Sequence, residues 1–392
     1  MVPSSADASA LATLFRATPA SSVVPTHRPL VRADDHEAVA EALSRLAAAR
    51  VLACPVYSRH ARRYTAFLDA MDVAAAVMGV VARSRKDADG GIGGGSSSGG
   101  NGNGDGLSAV LARPAGAVAN ASRSNDFVCL DAAAPLAVAV ATMAGRGAHR
   151  VALVEAGGGA MMGLLTQSAV VAWLVRRGVF RVPPLEAAVV SAVVRGGRGR
   201  QTLTAGDAAA RPVVCLTVRE GVSLRLVLAR LLLGDTATVA LVSADSGGLA
   251  GKLSPADVRA LLGGVLADTV TADPSAVDAA LGEMLDMDAV AWLGGQTLTT
   301  TACASAPAGG GGWRDTAPDA ASTVTPPPLP EGVTAAGNAL AVAASSSLRA
   351  VVEALVTTGQ HHAFVVADGG EVSGVVSLTD VLATVAAAAQ LE

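Results

Sequence analysis

HHAFVVADGGEVSGVVSLTDVLATVA, running from His361 to Ala386, carries the reading of the whole chain. The apolar run HAFVV meets a turn, ADGGE. A second short run, VSGVVS, follows, and LTDVLATVA then spaces its apolar residues at helical intervals. A hairpin that feeds directly into a helix accounts for all three parts.

The same order occurs three times upstream. It appears as VLACPVYSRHARRYTAFLDAMDVAAAV from Val51, HRVALVEAGGGAMMGLLTQSAVVAWLV from His149, and ATVALVSADSGGLAGKLSPADVRALL from Ala237. A helical segment precedes each core, at residues 36–49, 136–145, 223–233 and 347–358, and each follows a short strand candidate. The unit is therefore β-α-β-β-α, and the fold class is α/β with four repeats. One such unit cannot cover both faces of its sheet, so the units must pair.

Composition narrows the function classes. The chain has 392 residues, 29 basic and 33 acidic, for a net charge of −4. This balance argues against a nucleic-acid binder, which carries a basic excess. Hydrophobic residues make up 51% but aromatics only 3%, so Ala, Val and Leu fill the core. Mean hydropathy is +0.46, yet the apolar runs are broken by Arg225 and Arg230, and by Asp131 and Pro135. None approaches the roughly 20 apolar residues of a membrane span. Cys54, Cys129, Cys215 and Cys303 are scattered, with no metal-ligand or disulfide spacing. No P-loop, nucleophile elbow or H-E-x-x-H is present, so no enzyme class is indicated. The Ala/Ser-rich start faintly suggests a transit peptide, but a tail leading into a short helix is the expectation.

The second strand of each repeat ends alike: FLDAMDV (Asp69, Asp72), LLTQSAV (Thr166, Ala169), KLSPADV (Ser254, Asp257) and VVSLTDV (Ser377, Asp380). A hydroxyl or carboxylate at a helix cap, with an acid three residues on, is a capping box. Capping alone accounts for the pattern. The same geometry also suits a ligand, because free helix N–H groups attract an anion and an Asp one turn in accepts from two ribose hydroxyls.

These repeats resemble CBS domains, which pair into Bateman modules. The cap motif is similar to that family's nucleotide signature, in which Ser or Thr contacts phosphate and Asp contacts ribose. Four in order resemble the gamma subunit of AMP-activated kinase and the plant proteins similar to it. The last repeat is the most specific match, while LLTQSAVVAWL, KLSPADVRALL and CPV with FLDAMDVAAAV look like the plant branch. The resemblance implies two pseudo-symmetric modules after an N-terminal tail and short helix at 1–28. Module 1 spans 29–178, with repeats at 29–84 and 126–178 around a Gly-rich insert at 86–106. Module 2 spans 195–392, with repeats at 207–265 and 336–392 around a helix and Pro/Gly-rich linker at 266–335; the 195–206 stretch marks the boundary.

Carried over residue by residue, the resemblance implies adenine-nucleotide contacts at Ser377, Thr379, Asp380 and His361 in repeat 4. It implies Ser254, Asp257 and Lys252 in repeat 3, Thr166, His149 and Arg150 in repeat 2, and Asp72 in repeat 1. His361 also reads as an ordinary strand-start histidine, and Lys252 as a solvated edge charge. Repeat 2 lacks the acid, having Ala169, and the Asp69 carboxylate would repel a phosphate. Module 2 is therefore the expected binding half.

No cofactor is required on this reading; AMP, ADP or ATP is the expected regulatory ligand. The expected partners are the catalytic and beta-type subunits of a kinase of the sucrose-non-fermenting-related class, with homodimerisation left open and no nucleic acid or membrane. The expected compartment is the cytosol or nucleus. The alternative is a scaffold that has lost ligand response. Redox regulation of thioredoxin-type partners fits two-repeat proteins better than this chain of four repeats and dispersed cysteines.

Overall fold

The computed structural model describes residues 5–24, 30–49, 51–89, 106–123, 126–156, 160–183, 185–190, 193, 215–233, 238–269, 273–295 and 328–391. Most of the Gly-rich insert, the 195–206 boundary and nearly all of the Pro/Gly-rich linker lie outside them, as does Cys303.

Each repeat is the expected β-α-β-β-α unit. Repeat 1 runs β1 (Ala33–Asp34), helix Val39–Ala49, β2 (Ala53–Ser58), β3 (Arg63–Asp69) and helix Ala70–Asp89. Repeat 2 runs β4 (Cys129–Asp131), helix Leu136–Arg146, β5 (Arg150–Val154), β6 (Met161–Thr166) and helix Gln167–Arg176. Repeat 3 runs β7 (Cys215–Val218), helix Leu224–Leu233, β8 (Val239–Ser243), β9 (Leu249–Leu253) and helix Pro255–Thr269. Repeat 4 gains a leading strand: β10 (Val333–Ala336), β11 (Ala339–Ala343), helix Leu348–Thr358, β12 (His362–Val366), β13 (Val372–Ser377) and helix Leu378–Ala388. The extra hairpin turns at Gly337–Asn338, with Gly337 at φ 56°. A two-residue turn needs glycine there.

In every sheet the first helix carries the chain over between parallel strands, and the hairpin that follows is antiparallel. All four hairpins shift register at the same point, after Val56, Leu153, Leu241 and Val365. The repeats therefore share backbone detail as well as element order.

A second device also recurs four times. The first residue of each crossover helix has an N–H with no partner inside the helix. A short segment from elsewhere in the chain accepts it and donates back. Leu136 N donates to Thr18 O at 2.7 Å, and Ala20 N to Ala134 O at 2.8 Å. Val39 N donates to Arg113 O at 2.9 Å, and Ala115 N to Glu37 O at 2.7 Å. Leu224 N donates to Met287 O and Leu348 N to Ala188 O, both at 2.9 Å, with Ala289 N and Val190 N completing those pairs. The clasp of repeat 2 thus precedes repeat 1 in the chain, and the clasp of repeat 1 follows it. Repeats 3 and 4 exchange clasps in the same way. The single helix expected within 266–335 is two, Pro274–Asp286 and Ala289–Gly294, because the clasp of repeat 3 interrupts it at Met287 and Asp288.

The apolar cores run across these sequential pairs. One core joins repeats 2 and 4, and the other joins repeats 1 and 3 with the Pro274–Asp286 helix. The N-terminal helix Ser5–Ala17 belongs to the first, through Leu11 and the fully buried Phe15, whose ring lies 6.4 Å from that of Trp173. No described helix is long and apolar enough to cross a membrane.

Because Phe15 is enclosed, Phe15→Ala is expected to destabilise the protein by about 3–5 kcal/mol in urea unfolding. Arg16→Ala, exposed on the same helix, should change it by less than about 0.5 kcal/mol.

Candidate ligand-binding site

Each hairpin delivers its last residue to the start of the closing helix, and the four caps differ in what surrounds them. In repeat 4, Ser377 Oγ accepts from Asp380 N at 3.3 Å, while Asp380 Oδ2 accepts from Ser377 N at 2.9 Å and Ser377 Oγ at 2.7 Å. This closes a capping box. Asp380 Oδ1 has no hydrogen-bond partner among the described residues. Burial raises this carboxyl above its ordinary range, against the pull of the Ser377 hydrogen bonds. Thr379 is turned elsewhere: its hydroxyl meets the Gln167 amide of repeat 2 at 2.9 Å.

In repeat 3 both oxygens of Asp257 are taken. Oδ2 accepts from Ser254 N at 2.8 Å and from Lys252 Nζ at 3.0 Å, and Oδ1 accepts from Asn338 Nδ2 at 3.3 Å. Lys252 is no solvated edge charge: its side chain is 4% exposed and also donates to Ser254 Oγ at 3.1 Å. Asn338 is anchored by Lys252 N, which donates to its Oδ1 at 2.9 Å.

In repeat 1, Asp69 Oδ1 accepts from Met71 N and Asp72 N, and Asp72 Oδ2 accepts from Asp69 N at 3.0 Å. Asp72 Oδ1 accepts from Ser122 N at 3.0 Å and Ser122 Oγ at 2.7 Å. Burial, and then the nearby Asp69, push the Asp72 carboxyl up to about 6. In repeat 2, Thr166 Oγ1 caps Ala169 N at 3.2 Å, and no acid follows.

The strand starts bring cationic groups to these caps. The carbonyl oxygens of His149 and His361 accept from the first N–H of the closing helices, Gln167 N at 3.0 Å and Leu378 N at 3.1 Å. The backbone of each histidine therefore sits beside its helix start. Arg150 has a side chain only 10% exposed, and its guanidinium lies 3.9 Å from Asp69 and 5.8 Å from the centre of the Phe67 ring. Its Nη1 is buried without a hydrogen-bond partner. Burial, with Arg150 as a neighbour of both and Lys252 of the second, lowers His149 and His361 to about 4. Burial, with His361 and Lys252 nearby, also lowers His362 well below the ordinary imidazole range. The basic groups of repeats 2, 3 and 4 thus share one interior region, which a buried anion would suit.

Sequence reasoning did not find Ser122, Asn338, Gln167 or the Phe67–Phe127 ring pair. Gly337–Asn338 between two apolar runs is a hairpin signal that was available. Nothing local marks Ser122, whose partner is 50 residues away.

Residues 333–387 match the family model of the CBS domain. Among solved structures, one similar fold is a Methanocaldococcus jannaschii protein described as a proposed archaeal homologue of gamma AMPK. It is 13% identical with a TM-score of 0.59, and the match covers 93% of this chain and 99% of that one. A conserved Pyrococcus horikoshii protein matches with 11% identity and a TM-score of 0.40, over 94% of this chain and 100% of that one. A CBS domain protein of Pyrobaculum aerophilum, solved with AMP, matches with 19% identity and a TM-score of 0.27, over 44% of this chain and 100% of that one. No curated protein matches. Repeat 4 thus matches the CBS domain, the same strand and helix order recurs in the other three repeats, and the fold is shared with the Methanocaldococcus protein.

Proposed function

We infer that the chain is a non-catalytic regulatory protein that binds one adenine nucleotide at repeat 4. The observation that carries this is the uncommitted Oδ1 of Asp380, beside the Ser377 cap and the His361 strand start. The corresponding oxygen of Asp72 and Asp257 is held by Ser122 and Asn338. A ribose diol would meet Asp380, and the phosphate would run toward His361 and the unpartnered nitrogen of Arg150. As a regulatory subunit it would act on a protein kinase of the AMP-activated or sucrose-non-fermenting-related class, through catalytic or beta-type subunits. That partner rests on the four-repeat resemblance. A ligand-independent scaffold is the second reading, favoured by the internally satisfied acids of repeats 1 and 3.

Calorimetry with AMP, ADP and ATP separates the two. Charge-assisted hydrogen bonds contribute about 1.5–3 kcal/mol each, so Asp380→Ala should weaken binding by about tenfold or more. Asp257→Ala should leave it nearly unchanged. No heat with any of the three nucleotides would leave the scaffold reading.

Acidity gives an independent check. His149 and His361 titrate near 4 in the folded chain, below the ordinary 6.5. The unfolded chain therefore takes up protons first, and their contribution to stability is lost as pH falls from 6.5 toward 4. Asp72, raised to about 6, works in the opposite sense: its contribution is complete below the ordinary 3.8 and is lost as pH rises through 6. Asp380, also raised by burial, acts in the same sense as Asp72, and the three lowered histidines outweigh these two acids. The melting temperature should therefore fall between about pH 7 and about pH 5, and a His149→Asn/His361→Asn variant should flatten that fall.

A further inference from the structure

The hairpin of repeat 1 turns differently from the other three. Repeats 2, 3 and 4 turn through EAGGGA, ADSGG and ADGGE, which hold glycines and acids. Repeat 1 turns through SRHARR, Ser58 to Arg63. Arg59, His60, Arg62 and Arg63 are all exposed. Arg62 sits at φ 52°, the left-handed region that Gly247 and Gly370 occupy in the turns of repeats 3 and 4. Glycine takes that backbone readily and arginine does so at a cost, so repeat 1 keeps a cation where glycine is the easier residue.

A stiff base presents this tip. Tyr57 and Tyr64 are cross-strand partners with ring centres 5.2 Å apart at 70°, and Arg32 is hydrogen-bonded to Tyr64. The charges around the base do not cancel. Asp34 accepts from Arg59 Nη2 at 2.8 Å. Asp35 accepts from the Ser58 hydroxyl and lies 3.3 Å from His36 Nδ1. Glu37 is paired with Arg45. All three carboxylates are thus engaged within the chain. Neither Arg62 nor Arg63 has a side-chain hydrogen bond or ion pair among the described residues. The tip therefore carries two uncompensated cations on a chain whose net charge is −4.

We propose that the Ser58–Arg63 tip is a docking surface for a phosphorylated serine or threonine on a partner protein. A phosphate monoester carries about −1.5 to −2 at neutral pH, which matches the two free guanidinium groups. Arginine is also the cation whose planar fork takes phosphate oxygens in pairs. A bilayer or a nucleic acid would spread its charge over a wider footprint. There it would meet Asp34, Asp35 and Glu37, and beyond them the acidic excess of the chain. One compact dianion avoids both. The tip lies at the opposite end of β3 from the cap at Asp69, so it stands apart from the nucleotide reading.

The test is fluorescence anisotropy on the full chain, with a labelled peptide of glycine, alanine and glutamine around a single phosphoserine. The phosphopeptide should bind at least tenfold more tightly than its unphosphorylated twin. Arg62→Ala/Arg63→Ala should weaken that binding by about tenfold or more. The melting temperature should not move, because both side chains are exposed. The proposal is overturned if phosphorylation makes no difference, or if the alanine variant binds the phosphopeptide as the wild type does. Binding confined to phosphatidylserine vesicles or to poly(U) RNA would also overturn it, and would assign the tip to an extended polyanion. Failure of the chain to bind any adenine nucleotide would sink the repeat 4 reading and leave this result standing.

Discussion

A helix that starts where a strand ends leaves N–H groups that something must accept. In this chain the residues that meet that need are also the candidate ligand contacts. The cap acid at the third helical position uses one oxygen to close the box on the strand's last residue, as Asp72, Asp257 and Asp380 all do. Its other oxygen then points away from its own helix. What takes that oxygen separates the repeats: a connector serine in the first, a hairpin asparagine in the third, and no described group in the fourth. On the proposed reading, ligand competence is decided beyond the motif, by neighbours that the motif does not contain.

Those neighbours arrive because the repeats are tied together twice. Exchanged clasps bind repeat 1 to repeat 2 and repeat 3 to repeat 4 through backbone hydrogen bonds. The apolar cores bind repeat 1 to repeat 3 and repeat 2 to repeat 4 through helix faces. Neither set alone would bring Arg150 of repeat 2 to Asp69 of repeat 1 and near His361 of repeat 4. The Gln167–Thr379 hydrogen bond, formed between two helix starts, marks how closely the second and fourth caps approach.

The repeat order, the crossover helices and the caps were legible because each rests on local chemistry: an apolar period, a turn, a cap hydroxyl. The clasps were not, because their hydrogen bonds run between backbone groups and leave no residue signature at Thr18, Arg113, Ala188 or Met287. Lys252 shows a different limit. Sequence offered either a phosphate contact or a solvated charge, whereas its ammonium lies buried against the acid of its own repeat. A lysine two residues before the cap points to the same side of the strand as the cap, so the short reach to Asp257 could have been considered. Ser122 had no such cue, since only the folded connector brings it to Asp72.

Charge accounting in the interior explains why the first and third acids carry internal partners. A buried carboxylate without donors costs several kcal/mol, so an acid that waits for no ligand must be satisfied by the chain or lost. Repeat 2 lost it, at Ala169. Repeat 3 neutralises it with Lys252, and repeat 1 surrounds it with Ser122 donors while its pKa climbs. Asp380 follows neither route: it keeps an open oxygen and is pushed toward the neutral form by burial. On the basic side, His149 and His361 are held neutral and Arg150 keeps an unbonded nitrogen. An incoming phosphate would satisfy Arg150 and favour protonation of both imidazoles, while a diol would favour ionised Asp380. The same ligand would therefore relieve an under-satisfied base and a suppressed acid at once, and repeat 4 is where the described groups leave both in reach.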